Sequence, residues 1–230
     1  MTQTRPAAAP GRAGRDPVIP TGAAAYHLTT AVVVTAGLLL QVGLAVTAGG
    51  DAVPVRLLRL ASHFTVQAAL LVAVTSWMLA ARPARGISPV FRVVRLGAVV
   101  ASIVTGLVYL VVLRPVVDLE GWAAVADVVL HYVVPALVTV GWLVYGPRRR
   151  VDRRAVLLSI VWPVAFFAWT LGHGAVTGYS PYPFTDVDAL GLATVLGRAT
   201  VGTAVLAVLA AALWWLDRRL DERARRPRWG

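Results

Sequence analysis

Apolar residues along this chain gather into six long runs separated by short polar connectors. Each run is long enough to cross the ~30 Å hydrocarbon core of a membrane as a helix, and the connectors hold the glycine, proline and charged residues typical of turns at a membrane surface. The pattern predicts an all-α membrane protein, one bundle of six transmembrane helices within residues 23–217. The runs cover approximately residues 24–47, 57–81, 93–113, 122–145, 155–179 and 190–216.

Both ends of the chain lack this apolar pattern. Residues 1–22 are rich in proline, alanine, glycine and arginine, which predicts a disordered cytoplasmic tail. They do not resemble a signal peptide, because the apolar run that follows is too long for one. Residues 218–230 are predicted to form a second, basic cytoplasmic tail.

The amino-acid composition agrees with a membrane protein and excludes several kinds of active site. Hydrophobic residues make up 58% of the chain and charged residues only 14%, with a mean hydropathy of +0.71. The chain has no cysteine, which excludes disulfides, thiolate nucleophiles and cysteine metal sites. It has no lysine either, which excludes a Schiff base. The sequence predicts neither a metal site nor a cofactor.

The positive charges indicate an orientation. All 22 basic residues are arginines, and they give a net charge of +11. Most lie in the two tails and in the second and fourth connectors, so the positive-inside rule predicts that both termini are cytoplasmic. Short arginine clusters between apolar runs favour anionic lipids at the cytoplasmic face as partners, and not nucleic acid. The four exceptions are Arg56, Arg59, Arg114 and Arg198.

Two polar residues on different predicted helices share one depth. Thr65 lies nine residues beyond Arg56, ~13 Å by helical rise, and His131 lies ten residues beyond Gly121, ~15 Å. A histidine can activate a hydroxyl nucleophile, so the pair suggests a hydrolase. His63 is two positions from Thr65, ~200° around the same predicted helix, and is excluded as its base.

Further polar residues fall in the same half of the bundle. Asp127 lies one helical turn from His131, where it is predicted to orient the imidazole as a triad acid does. Pro135 frees the carbonyl of His131, which predicts a local kink. By the same counting, His173 lies ~9 Å from the outer end of the fifth run, and Arg198, eight residues into the sixth, is a candidate to hold a lipid carboxylate.

Each of these residues also has a structural interpretation. A threonine in a membrane helix commonly donates to the carbonyl four residues earlier or binds a neighbouring helix, which applies to Thr65. His131 is open to a purely structural polar contact. Asp127 is open to a capping role at the interface, and Arg198 to snorkelling toward the membrane surface.

Several short motifs in order resemble a known family. The resemblance is to the androgen-induced protein family, and most closely to its bacterial six-pass "Pr-six-Pr" membrane proteins, over nearly the whole chain beyond the first tail. The motifs are Phe-Thr-Val-Gln at 64–67, His-Tyr-Val-Val-Pro at 131–135 followed by Trp142, Val-Thr-Gly at 176–178 and Tyr-Pro-Phe at 182–184.

The resemblance implies an activity. The animal members are intramembrane threonine hydrolases that cleave fatty acid esters of hydroxy fatty acids with one threonine and one histidine, whose motif positions correspond to Thr65 and His131. We therefore expect a membrane lipid ester as substrate. The orientation given by the arginines and the depths of Thr65 and His131 predict a site in the outer-leaflet half of an inner (plasma) membrane. The connector that carries Tyr182 is expected to cap the site, with Tyr182, His173 and Arg198 contacting substrate.

The chain departs from the family pattern at four positions. The bacterial relatives tend to have Ser-Asn where this chain has Ala68 and Ala69, Asp where it has Gly141, and Arg where it has His173. These differences predict a thinner or rearranged polar network around the pair.

Two other function classes stay open. A lipid- or solute-binding or transport protein without chemistry would use Asp127, His131 and Arg198 as a polar site. A haem-binding protein would use His63, His131 or His173, although no predicted helix carries the paired inward histidines of a di-haem bundle.

Overall fold

The computed structural model of the protein describes residues 21–83, 88–146 and 151–225. These residues form helices and connecting turns, with no strand among them. In chain order the α-helices of this part are α1 (Ala23–Thr47), α2 (Val53–Ala61), α3 (Phe64–Ala81), α4 (Pro89–Val108), α5 (Gly121–Val128), α6 (Val134–Tyr145), α7 (Arg153–Ser159), α8 (Val161–Thr177), α9 (Val187–Leu190) and α10 (Leu192–Arg225).

The prediction of six membrane helices is confirmed at the level of length and composition. Six continuous helical stretches in the described ranges are long and apolar enough to cross a membrane, which indicates a multi-pass membrane protein. The stretches are Ala23–Thr47, Phe64–Ala81, Pro89–Val116, Gly121–Tyr145, Arg153–Thr177 and Leu192–Glu222.

The two ends of the bundle differ in charge. Consecutive spans run in opposite directions, so the start of α3 lies at the same end as the end of α1, and we call this the Thr65 end. The opposite end, called the arginine-rich end, carries Arg82, Arg92, Arg95, Arg153, Arg154, Arg218 and Arg219.

The third spanning stretch forms the centre of the bundle. Its most apolar window is 61% buried, against 22–39% for the other five, because helices pack around it on several sides. The outer faces of the other helices stay exposed and apolar, as expected where lipid is the solvent. The core around this stretch includes Val34, Val72, Leu96, Val99, Val100, Val104, Leu130, Val134, Trp142, Leu206 and Leu213.

The second apolar run, predicted as one helix over 57–81, is broken in the structure. α2 ends at Ala61, and α3 begins at Phe64 after a turn at Ser62 and His63. Thr65 is therefore the second residue of its spanning helix, not the ninth, and the predicted depth within that helix was wrong. The break has a tertiary cause, because hydrogen bonds from α8 hold Ser62 in place, and hydropathy along the chain does not reveal it.

Arg56 and Arg59, two of the four arginines outside the basic clusters, organise the entry to α3. The Arg56 side chain donates to the carbonyls of Ala45 and Val46 at 2.6 and 2.8 Å, which satisfies the free carbonyls at the end of α1. Arg59 pairs with Asp51 at 2.5 Å. These contacts tie α2 to the end of α1.

Two π-helical turns contact each other through the ring of Tyr109, which packs against His131 and Tyr132. Tyr109–Leu113 continues α4, and Val129–Val133 joins α5 to α6. The second turn precedes Pro135, which cannot donate to the His131 carbonyl, so a π turn lies where the sequence predicts a local kink. π turns of this kind are frequent at functional sites.

Gly106 on α4 allows this close approach. A Cβ atom at Gly106 would lie 3.2 Å from the His131 carbonyl oxygen and 3.2 Å from Cβ of Pro135, both rigid groups. We expect Gly106→Ala to lower the free energy of unfolding by about 1 kcal/mol or more, because the crowding outweighs the helix propensity of alanine. Thermal unfolding in detergent measures the change.

Gly97 provides the matched control on the same helix. A Cβ atom there has no atom within 4 Å apart from its chain neighbours and its own helix backbone, so Gly97→Ala is expected to leave the midpoint unchanged or raise it. Equal midpoints for the two variants would contradict close packing at the second π turn.

The two predicted tails fall largely at the limits of the structure. Residues 1–20, most of the predicted disordered tail, lie outside the described residues. α10 continues through Arg225, so the predicted tail from residue 218 begins as part of the last helix. Residues 226–230 again lie outside the described part.

Candidate active site

The Thr65 hydroxyl faces the His131 ring across the bundle. The Thr65 Oγ1 atom lies 3.2 Å from His131 Nε2, although the residues are 66 positions apart. Among the described residues, seven other helical threonines donate to the carbonyl four residues earlier, which is the common structural arrangement. The corresponding carbonyl for Thr65, that of Ala61, instead accepts from Gln67 at 3.0 Å. The hydroxyl of Thr65 is thus directed at an imidazole.

Asp127 fixes the orientation of that imidazole. His131 Nδ1 lies 2.9 Å from Asp127 Oδ1 and 3.2 Å from the Asp127 carbonyl oxygen. Both partners are acceptors, so Nδ1 carries the proton and Nε2 offers a lone pair to the Thr65 hydroxyl. Threonine, histidine and aspartate stand in the relation of a nucleophile, its base and an orienting acid.

Tyr109 completes the cluster and was missed from the sequence. Its ring stacks on His131 with centroids 4.1 Å apart, and its hydroxyl donates a short hydrogen bond to Asp127 Oδ2. Both carboxylate oxygens of Asp127 are therefore occupied, one by the imidazole and one by the phenol. A tyrosine well inside the third apolar run was the available signal, but only the fold shows which helix it faces.

The connector between α8 and α10 places Tyr182 over the start of α3. The Thr65 amide donates to the Tyr182 hydroxyl oxygen at 3.5 Å, and Tyr182 is 8% exposed. The Tyr182 carbonyl accepts from the Thr185 amide, the Thr185 hydroxyl and the Ser180 hydroxyl at 3.0, 2.9 and 3.1 Å. The Tyr182 ring stacks on Phe184 with centroids 5.0 Å apart. The turn is therefore firmly held.

An apolar cavity of about 110 Å³ opens beside Thr65. Its walls include Thr65, Tyr182 and the predicted ligand residue Arg198, together with aromatic and aliphatic side chains. Thr105 also lines it, and the Thr105 hydroxyl is buried with no hydrogen-bond partner among the described residues. The remaining lining residues are Phe64, Val104, Val108, Leu113, Phe166, Phe167, Phe184, Gly202 and Leu206.

His173 lies elsewhere, in a second hydroxyl–imidazole contact. Its Nδ1 atom is 3.2 Å from Ser62 Oγ, which also accepts from Trp169 Nε1 at 3.0 Å. Ser62 donates its proton to the Leu58 carbonyl at 2.8 Å and is fully buried. A hydroxyl whose proton is already engaged, and which does not line the cavity beside Thr65, is poorly suited to attack a substrate. His173 does not line the cavity beside Thr65. Its contacts instead hold the break before α3.

His63 is turned away from Thr65. Its Nδ1 atom donates to the Arg59 carbonyl at 2.8 Å. Burial lowers the pKa of His63, partly opposed by hydrogen bonds with the Arg59 and Leu60 carbonyls, so the ring is neutral at pH 7. The sequence-based exclusion of His63 as a base agrees with this placement, although His63 precedes α3 instead of sharing its helix.

The residues that depart from the family pattern lie at various distances from Thr65 and His131. Ala68 and Ala69 are buried against neighbouring helices within a turn of Thr65. Gly141 belongs to the arginine-rich half, where a Cβ atom would lie 2.8 Å from the Tyr26 ring. The Tyr26 ring therefore fills the space beside Gly141, and its hydroxyl donates to the Leu137 carbonyl at 2.9 Å.

Neither a metal centre among the described residues nor a similar known protein adds to the geometry of this site. In the part of the chain that the structure describes, no group of three or more histidine, aspartate or glutamate side chains is arranged to hold a metal ion. Searches against protein-family models, curated proteins and solved structures found no match to this chain.

Proposed function

We propose that this protein is an intramembrane hydrolase that cleaves a lipid ester with Thr65 as nucleophile and His131 as general base. The observation that carries the proposal is the 3.2 Å contact between Thr65 Oγ1 and a His131 nitrogen whose partner nitrogen is held by Asp127. The apolar cavity beside Thr65 supports an acyl chain as the group to be bound.

The first half-reaction forms an acyl-enzyme. His131 Nε2 takes the Thr65 hydroxyl proton while Oγ1 attacks the ester carbonyl carbon. The tetrahedral intermediate collapses, the bond to the alkoxy oxygen breaks, and that oxygen leaves with the proton from Nε2. Asp127 stabilises the transient imidazolium. Thr65 lies in the first turn of α3, where the positive end of the helix dipole favours charge developing on Oγ1.

The second half-reaction returns the enzyme to its initial state. A water molecule gives a proton to His131 Nε2 and attacks the carbonyl of the acyl-threonine. The bond to Oγ1 breaks, Oγ1 regains the proton from Nε2, and a fatty acid departs. Each proton removed from a nucleophile is thus returned to a leaving group.

The membrane orientation follows from charge. The arginine-rich end faces the cytoplasm by the positive-inside rule, so both termini are cytoplasmic and the Thr65 end lies in the outer-leaflet half of an inner membrane. Substrate then enters from the outer leaflet. Anionic lipids bind the arginine-rich end, where Arg218 and Arg219 lie over Trp214 and Trp215.

The substrate class is an acyl ester that also carries an acidic group. Arg198 is an exposed guanidinium at the wall of an otherwise apolar cavity, suited to bind a carboxylate at the rim. The resemblance to the androgen-induced protein family supports this class, because its animal members cleave fatty acid esters of hydroxy fatty acids. His173 is assigned to support of the α2–α3 break, and Tyr182 and Arg198 to the substrate side.

Covalent trapping tests the proposal directly. We expect purified protein in detergent or nanodiscs to hydrolyse medium- or long-chain acyl esters and to react with a fluorophosphonate, which phosphonylates activated hydroxyls. Peptide mass mapping should find the adduct on Thr65.

Three results would count against the proposal. They are an adduct on Ser62 instead of Thr65, labelling that survives in Thr65→Val, and lipid binding without hydrolysis of any ester in the panel. The last result favours the alternative of a lipid-binding protein without chemistry, for which the same apolar cavity is the supporting observation. A Soret absorption band in the pure protein would favour the haem alternative.

A further inference from the structure

We propose that the Tyr182 hydroxyl and the backbone N–H of Thr65 form the oxyanion hole of this site. The inference rests on the proposed ester hydrolysis and adds the group that stabilises its transition state. In acyl transfer the carbonyl oxygen becomes an oxyanion when the nucleophile adds, and fixed hydrogen-bond donors at that position lower the barrier.

The Thr65 amide is a hydrogen-bond donor without a close acceptor among the described residues. Thr65 is the second residue of α3, and the first amides of a helix have no carbonyl partner within the helix. The first amides of α3 that donate to the His63 carbonyl are those of Val66 and Gln67, at 3.1 and 3.2 Å. Within the part of the chain that the structure describes, the Thr65 amide reaches only the Tyr182 oxygen, at the long distance of 3.5 Å. A carbonyl oxygen of substrate would offer a shorter contact.

The Tyr182 hydroxyl is a second donor at the same place. Burial raises the pKa of Tyr182, partly opposed by its hydrogen bonds with Thr65 and Phe64, so it remains a protonated phenol at neutral pH. Its oxygen accepts from the Thr65 amide, which leaves its proton available for another acceptor. The three hydrogen bonds to its carbonyl and the stacking on Phe184 hold it in place before substrate binds. Such preorganisation is what an oxyanion hole requires.

Thr105 gives independent support for a polar group in the cavity. Buried hydroxyls almost always have a hydrogen-bond partner, yet the Thr105 hydroxyl has none among the described residues. Thr105 lines the same cavity as Thr65 and Tyr182. A hydrocarbon chain alone would leave this hydroxyl unsatisfied, whereas the oxygens of an ester or a water molecule would satisfy it. The cavity therefore presents a polar group inside apolar walls, which fits an ester better than a plain hydrocarbon chain.

The two donors act without covalent change. As Oγ1 adds, the electron pair of the carbonyl double bond moves to the carbonyl oxygen, and this oxygen accepts hydrogen bonds from the Tyr182 hydroxyl and the Thr65 amide. Tyr182 keeps its proton, because the proton in transit is exchanged between Thr65 and His131. When the intermediate collapses the oxygen is again a neutral carbonyl. The same donors serve the second half-reaction.

Tyr182→Phe tests the inference because it removes one hydroxyl and keeps the stacked ring. We expect kcat for acyl ester hydrolysis to fall on the order of 10²-fold with KM changed less than about 3-fold, since the lost contact forms mainly in the transition state. A long-chain trifluoromethyl ketone adds Oγ1 and mimics the oxyanion, and its affinity should fall in parallel with kcat/KM. The methyl ketone of the same chain length cannot readily do so and should lose little affinity.

Tyr179→Phe is the matched control. Tyr179 lies in the same connector, but its ring packs against His173 and Arg59 instead of Thr65, so its activity and inhibitor affinity should stay near those of the unmodified protein. The ratio of the two ketone affinities reports on the site even if part of a preparation is misfolded. If the protein hydrolyses esters but Tyr182→Phe leaves kcat and this ratio unchanged, the oxyanion role of Tyr182 is wrong. If the unmodified protein cleaves no ester, the proposed hydrolase function itself is overturned.

Discussion

Thr65→Val should lose ester hydrolysis by on the order of 10³-fold or more, because valine has the shape of threonine but no nucleophilic oxygen. Side-chain volume and β-branching are preserved, so the start of α3 should pack as before. Thr65→Ser keeps the oxygen 3.2 Å from His131 Nε2 and should retain turnover within about 10-fold. The measurement is kcat/KM for a long-chain acyl ester, with the thermal midpoint taken in parallel.

The control for Thr65 is a threonine of the ordinary structural kind. The Thr139 hydroxyl donates to the Pro135 carbonyl at 2.7 Å, and Thr139→Val should leave kcat within about 3-fold of the unmodified protein. Equal activity of Thr65→Val and Thr139→Val would show that the Thr65 hydroxyl is a structural group. Loss of activity in Thr65→Ser with an intact fold would count against attack by an oxygen at this position.

His131→Gln should lower kcat by about 10²–10⁴-fold, the usual contribution of a general base. Glutamine fills a similar volume and keeps polar atoms near Asp127, so most of the loss should reflect proton transfer instead of unfolding. Fluorophosphonate labelling should slow in parallel, because the same base activates Oγ1 for both reactions. Stopped-flow or gel-based labelling rates, compared with kcat, check this parallel.

His27→Gln is the corresponding control in the other half of the bundle. His27 is buried close to Arg95 at the arginine-rich end, far along the spans from Thr65. Its substitution is expected to change stability without a specific loss of labelling rate per folded molecule. An unchanged labelling rate in His131→Gln would show that His131 is not the base that activates the Thr65 hydroxyl.

The spanning helices were predictable because hydropathy acts locally. Residues within each run share one environment, so Ala23–Thr47 and Gly121–Tyr145 match their predicted runs within about one residue. The pair of Thr65 and His131 was also foreseeable, since an imidazole inside an apolar run is costly and calls for a partner. Counting residues from the ends of the runs placed them at one level, even though the α3 start was wrong.

The remaining parts of the site depend on long-range contacts, which the hydrophobic pattern along the sequence does not reveal. No glycine or proline marks the break at Ser62, which is held by Trp169 and His173 from a helix about 107–111 residues later. Tyr109 meets His131 because two π turns contact each other. A π turn contains one residue more than an α turn, and the hydrophobic periodicity of a single sequence does not reveal it. Tyr182 reaches Thr65 through a folded connector whose path is a tertiary property.

The break before α3 has a consequence for how a product leaves. Thr65 stands at the junction between α2, which has no buried residue and carries two arginines, and the apolar wall of the cavity. Under the proposed function, a fatty acid released there would be an amphiphile already aligned with its surroundings. Its new carboxylate would then face the charged helix, and its hydrocarbon tail would lie along Phe166 and Leu206 of the cavity wall. It could therefore diffuse laterally into a lipid leaflet with its carboxylate already facing water. It would not need to reverse its orientation inside the protein.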